Sequence, residues 1–137
     1  MMSYKVGNKL KLDEVIGLYK DSTLGKRRPV KDRKRFLKMI KNANLVVTAW
    51  DNKKIVGIAR AVSDFSYVTY LSDLAVRKAY QKKGIGKMLI KKIRQKSGPK
   101  TKIVLLAAPA SKKYYPHIGF EQHNSVWLLK PDKKLKG

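Results

Sequence analysis

The chain has 137 residues, 43% of them apolar, with no cysteine and a formal net charge of +24 from 33 Lys and Arg against nine Asp and Glu. That length suits one domain with a real core, and the missing cysteines exclude a disulfide framework, a thiolate metal site and a covalent cysteine intermediate. No apolar run approaches the roughly 20 residues that span a bilayer, and "MMSYKVGNKLK" at the start lacks an apolar signal core, so the expectation is a cytoplasmic protein with no membrane partner.

The charge is unevenly spread. Seven of the nine acids lie at or before Asp73, and none occurs between Asp73 and Glu121, an interval that carries thirteen Lys and Arg. Such a field attracts polyanions, among them nucleic acid and phosphorylated cofactors. The plainer reading is a solvated, lysine-rich surface.

In chain order, "SYKVG" reads as a short opening strand. Leu12, Val15, Ile16 and Tyr19 then recur at the spacing of an amphipathic helix. "TLGKRRPV" breaks it at Gly25 and Pro29. Residues 31–42 predict a second helix with Phe36, Leu37 and Ile40 inward and Asn42 and Asn44 at its end. "LVVTAW" (45–50) and "IVGIARAV" (55–62) form a hairpin around "DNKK", and "YVTYLSDLAV" (67–76) is a third strand in series. A helix over 84–96 places Ile85, Met88, Leu89 and Ile93 on one face, with Lys87, Lys91 and Arg94 largely outside it, and stops at "GPK". "KIVLLAA" (102–108) reads as a central buried strand, followed by a short helix near 110–117 and a strand at "VWLLK" (126–130). No repeat or linker interrupts the series. The order predicts an α/β (α+β) chain in a single domain, 1–137. Its sheet is mixed and mostly antiparallel, with six to seven strands flanked by about four helices, a meander running into one βαβ unit.

"YQKKGIGKMLIKKI" (80–93) lies between a strand and a helix. A helix start offers unpaired N–H groups and positive potential, and glycines let an anion approach the backbone, a general recipe for binding phosphate. A P-loop fails, because Gln81 stands where its first glycine belongs and Met88 replaces Ser/Thr. A dinucleotide fingerprint fails at Leu89. What fits is Q-x-x-G-x-G, made by Gln81, Gly84 and Gly86; a turn that simply needed two glycines is the alternative.

"LSDLAVRKAYQKKGIGKMLIKKI" resembles the acetyl-CoA-binding core of the GNAT superfamily of N-acetyltransferases. "APASKKYYPHIGFE" is similar to that family's closing A-x-x-x-[FY]-Y-x-x-x-G-F segment, with Tyr114, Tyr115, Gly119 and Phe120 in place. The middle, "AWDNKKIVGIARAVSDFSYVTYLSDLAV", also resembles a subgroup that includes plant plastid arylalkylamine acetyltransferases. Two departures stand out. Arg77-Lys78 follows Val76, where the family usually carries proline after the fourth strand's V-x. Ala107-Ala108-Pro109 stands where an asparagine often follows the fifth strand, which removes one side-chain contact to the pantetheine arm.

The resemblance implies an enzyme that uses acetyl-CoA as cosubstrate and transfers its acetyl group directly, in a ternary complex, to a primary amine, either a small molecule or a protein lysine or N-terminus. Leu74, Ala75 and Val76 would face the pantetheine. Gln81, Lys82, Lys83, Gly84, Ile85, Gly86 and Lys87 would surround the pyrophosphate. The thioester would sit where strand 67–76 parts from strand 102–108. Tyr115 would contact the cofactor and protonate the leaving thiolate.

An alkyl ammonium, with a pKa of about 10.4, must lose a proton before attack, and the developing oxyanion needs a donor. Asp73 is the candidate base, with a structural or ammonium-anchoring role as its equal alternative; Asp64, His117, Glu121 and His123 stand behind it. Asp13, Glu14, Asp21, Asp32 and Asp64 are available to draw an amine over the first helices, beneath a covering loop at "GKRRPV" (25–30). A +24 protein disfavours free polyamines. No H-x-x-x-H or H-E-x-x-H pattern occurs, so no catalytic metal is expected. Two rival readings remain. One is a basic nucleic-acid-binding module using Lys91, Lys92, Arg94, Lys96 and Lys100, though no RNP or zinc pattern supports it. The other is a non-catalytic acyl-CoA-binding protein. A homodimer through an edge strand such as 126–130 follows the family's habit.

Overall fold

The computed structural model describes all 137 residues, which divide into two units, 1–106 and 107–137. In the first unit the β-branched runs form strands β1 (Met2–Val6), β2 (Leu45–Asp51), β3 (Lys54–Ser63) and β4 (Val68–Val76), with a short β5 (Lys102–Val104). The sheet keeps chain order from β1 to β5; the first four strands are antiparallel, and β4 and β5 are parallel. Between β4 and β5 runs helix α3 (Ile85–Ser97), the crossover that a parallel pair requires. Helices α1 (Leu12–Asp21) and α2 (Arg33–Asn42) join β1 to β2. The hairpin turn after β2 places Asn52 at φ 54, a left-handed conformation that asparagine tolerates.

Each face of this sheet has its own packing. On one, Val15, Tyr19, Phe36 and Ile40 of α1 and α2 form a core with Val46, Ile58 and Ala75 of the strands. Tyr19 and Phe36 meet edge-on at 4.9 Å, and Asp32 caps α2 by accepting from the Arg35 N–H. On the other face α3 buries Ile85, Leu89, Ile90 and Ile93. Gly57 of β3 makes room for it, since a Cβ there would lie 3.1 Å from Leu89 Cδ1 and 3.3 Å from Ile85 Cγ2. Met88, expected inward, is 36% exposed, and Ile90 takes its place.

The second unit holds a short helix, α4 (Tyr114–His117), followed by Gly119 at φ 109. Tyr115 packs edge-on against Tyr114 at 5.3 Å and Phe120 at 5.4 Å.

The sheet has five strands rather than six or seven. Residues 126–130 form no strand, and Trp127 there is 94% exposed. The strand expected over 102–108 is cut to three residues and pairs with β4 alone, so it is an edge rather than a centre. Its apolar run resembled a two-sided buried strand, yet apolar content says nothing about how many neighbours a strand finds.

Candidate active site

β4 outruns its neighbour. Its last pairing with β5 is Tyr70 with Val104, and Leu71–Val76 continue with β3 on one side only. The parting coincides with a register shift: Arg60 opposes Asp73 but Ala61 opposes Leu71, which leaves Ser72 as an extra residue in β4. A bulge of this kind bends the strand and sharpens its twist.

The direction of the free groups follows from the ladder. Arg77 N donates to Val56 O at 2.9 Å, so Arg77 and Val56 stand opposite each other at a hydrogen-bonded position. Antiparallel pairs alternate, so Ala75 and Asp73 spend their main-chain groups on β3, while Leu74 and Val76 turn theirs to the open edge. The expected contact from Ala75 therefore has no main-chain group to offer on that side. Lys78 stands where a proline was expected, and it keeps the N–H that proline lacks.

This open edge leads into the glycine loop, which is anchored at several points. Arg77 Nε donates to Ile55 O at 2.8 Å, the Lys78 N–H to Asp21 Oδ2 at 3.0 Å, and the Tyr80 hydroxyl to Asp51 Oδ2 at 2.6 Å. The side chain of Gln81 folds back and donates to Val76 O at 2.9 Å. It thus ties the loop to the strand and occupies one outward carbonyl. Lys82 (φ 62) and Gly84 (φ 82) are both left-handed. Gly84 is the residue before α3 and has no side chain to cap the helix, and Met88 N is the first to bond back, to Gly84 O at 3.1 Å. The N–H groups of Ile85, Gly86 and Lys87 are left without intrahelical partners. No acid lies in that first turn, and the exposed Lys82, Lys83 and Lys87 take part in no ion pair. Positive potential from the helix and from these lysines therefore converges where the N–H groups are free.

Asp73 is placed differently from a proton acceptor. It is 2% exposed. Arg28 Nε donates to its Oδ1 at 2.6 Å, while Arg60 Nε and the Tyr19 hydroxyl both donate to Oδ2 at 2.6 Å. Arg28 Nη2 also reaches Ser72 O, and Arg60 Nη2 reaches Ser72 Oγ, so the network clasps the bulge itself. Burial pushes the Asp73 carboxyl up, but the Arg60 and Tyr19 hydrogen bonds and the Arg60 and Arg28 charges outweigh it and hold the group below the usual carboxylate range. Burial and the Asp73 charge raise the Tyr19 phenol well above its ordinary value. With its lone pairs occupied and its acidity increased, Asp73 is a poor base. Arg28, Arg60 and Tyr19 were not among the candidate site residues of the sequence reading. The available signal was a single arginine inside "IVGIARAV" and a single aspartate inside "YLSDLAV".

The acids expected to draw an amine are mostly engaged elsewhere. Asp13 pairs with Arg33, Asp21 holds the Lys78 N–H, and Asp32 caps α2. Asp64 accepts from three N–H groups of the β3–β4 turn, at the opposite end of β4 from the glycine loop. In the second unit, Tyr115 is half-buried and its phenol is raised by burial and by Tyr114, so it keeps its proton at neutral pH. His117, Glu121 and His123 are exposed.

The acetyltransferase (GNAT) domain family matches residues 22–127. An uncharacterized N-acetyltransferase of Gracilaria tenuistipitata var. liui is 37% identical over 99 residues, 64% of this chain and 53% of that protein. One from Pyropia yezoensis is 30% identical over 106 residues, 73% of this chain and 59% of that protein. The chain thus spans somewhat more than half the length of these curated relatives. Among solved structures, a probable acetyltransferase of methicillin-resistant Staphylococcus aureus shares the fold at a TM-score of 0.75 and 22% identity, over 95% of this chain and 99% of that one. The aminoglycoside N-acetyltransferase AAC(6')-Iy, solved with CoA, does so at 0.73 and 20%, over 97% and 96%. With the family match running from the residue after α1 into the second unit, the chain belongs to the GNAT acetyltransferase family.

Proposed function

We propose that this chain transfers an acetyl group from acetyl-CoA to a primary amine, directly and with both substrates bound, and that its two units make up one catalytic domain. One observation carries the reading: the open edge of β4 at Leu74 and Val76 runs into an anchored left-handed loop and a helix start whose N–H groups are uncapped. A chain of amides ending in a diphosphate is the ligand shape that such a path suits. The Leu74 main chain and the Val76 N–H would pair with the amides, and Gly84 to Lys87 would take the diphosphate.

Transfer joins the amine nitrogen to the acetyl carbon and breaks the C–S bond. Tyr115, proposed from its motif, gives its proton to the departing thiolate. Asp73 is a positioning residue that holds the bulge and the loop around Arg28. The ammonium proton then goes to water, so the rate follows the concentration of free amine.

The test is calorimetric titration of the nucleic-acid-free protein with acetyl-CoA, beside Gly86→Glu, followed by a thiol-release assay across small amines and lysine peptides. Micromolar binding that is lost in the variant, with turnover of at least one amine, supports the reading. No binding by the native chain sinks it. Binding without turnover on any acceptor leaves a non-catalytic acyl-CoA-binding protein.

A further inference from the structure

The end of β4 remote from the glycine loop carries a surface that acetyl transfer does not use. β4 has nine residues, so the two ends lie about 26 Å apart at ~3.3 Å per residue. At the remote end the β3–β4 turn displays two aromatic side chains, Phe65 at 48% and Tyr67 at 65% exposure. They do not dangle. Asp64 Oδ1 accepts from the N–H groups of Ser66, Tyr67 and Val68 at 2.9, 2.7 and 3.1 Å, and Phe65 N donates to Ser63 Oγ at 2.9 Å. Phe65 sits at φ 59, a region where glycine or asparagine would rest more easily. The turn therefore holds a bulky ring in water against both its hydrophobicity and its backbone preference.

Cations flank these rings. Lys102 Nζ stands 4.1 Å from the Tyr67 ring centroid and 3.0 Å from its hydroxyl. The loop that follows α3 approaches the turn at Gly98, where a Cβ would lie 3.7 Å from Phe65 O. Arg94, Lys96 and Lys100 are exposed on the end of α3 and on that loop, and none is in an ion pair. Asp64 is the acid of this turn, and its carboxylate is committed to three backbone N–H groups.

We propose that this turn and the loop after α3 bind single-stranded nucleic acid, with bases stacked on Phe65 and Tyr67 and phosphates met by Arg94, Lys96, Lys100 and Lys102. Exposed rings set among cations are how sequence-tolerant single-strand binding is built. A duplex hides its base faces and would leave both rings unused. An anionic membrane would want an apolar helix face, and the outer face of α3 offers it only Met88 among lysines and arginine.

The test measures binding of the full, nuclease-treated chain to a fluorescent 12-nucleotide uridine or thymidine oligomer across a salt series. Phe65→Ala and Tyr67→Ala should each weaken binding about 10-fold, and Tyr67→Phe should stay within about 2-fold of native. Replacing Lys100 and Lys102 together by glutamine should flatten the salt slope by about 1.4. Acetyl-CoA affinity, circular dichroism and the thermal midpoint should be unchanged in Tyr67→Ala, which shows that any loss is local. Unchanged affinity in both alanine variants overturns the proposal in favour of a charge-only surface. No binding to the oligomer, or tighter binding to a duplex or to phosphatidylserine vesicles, overturns it as well.

Discussion

Arg28 and Asp73, 45 positions apart in the chain, meet through a hydrogen bond of 2.6 Å, and Arg60 takes the other carboxylate oxygen at the same distance. One buried carboxylate thus binds the loop after α1 to the bulge where β4 leaves β5. The pairing turns the candidate base into the peg on which two cations hang.

Asp73→Asn should therefore act on stability before it acts on chemistry. Removing one partner of a buried ion pair costs about 3–5 kcal/mol, and here it leaves two guanidinium groups facing a neutral amide. Urea unfolding measures the loss; a solvent-linked base would leave stability nearly untouched. The pH dependence has a definite sign. The native carboxyl is held below its usual range, so its contribution is complete above about pH 4. It fades as pH falls through the lowered native value, and the Asn variant should lack that part of the acid limb.

Arg28→Ala leaves Asp73 with Arg60 and Tyr19 but releases the loop. A hydrogen bond to a charged group contributes about 1.5–3 kcal/mol, and stability should fall by that order. Amide exchange should quicken across residues 24–30 while β2 and β3 stay protected. Acetyl-CoA affinity should persist while KM for the amine rises. Weaker acetyl-CoA binding at unchanged amine KM would assign the loop to the other substrate.

Gly57→Val tests how α3 is seated. Even a Cβ at that position would press on Leu89 and Ile85, and overpacking of this kind costs about 1–3 kcal/mol. Because the displaced helix carries the free N–H groups at its start, acetyl-CoA affinity should fall along with the thermal midpoint. A fall in stability with unaltered affinity would separate the helix start from the ligand.

Tyr115→Phe removes a hydroxyl and keeps the ring that packs on Tyr114 and Phe120. Loss of a general acid costs about 100- to 10,000-fold in rate. The effect should fall on kcat, with acetyl-CoA affinity within about 2-fold of native, an energy change small beside a lost hydrogen bond. An unaltered kcat would remove Tyr115 from the chemistry. With Asp73 occupied, log kcat/KM should climb with pH toward the pKa of the amine and show no plateau set by an aspartate.

What could be read in the chain alone was local. The stripe from Leu12 to Tyr19, the β-branched runs around Asn52 and the left-handed Gly84 all follow from short-range sterics and periodicity, which neighbours in sequence determine. The glycine turn and helix start over 81–87 were legible for the same reason, whereas the block around Tyr115 was legible only through its resemblance to the family. Strand length was not legible. "KIVLLAA" is apolar after its lysine, yet only Lys102–Val104 find a partner, and "VWLLK" forms no strand at all, because pairing depends on another strand being in register. The role of Asp73 lay still further out of reach. Arg60 is opposite it across the sheet, Tyr19 reaches it from α1 and Arg28 from a loop. A carboxylate's chemistry is decided by which donors fill its lone pairs, and only the tertiary structure brings those three together.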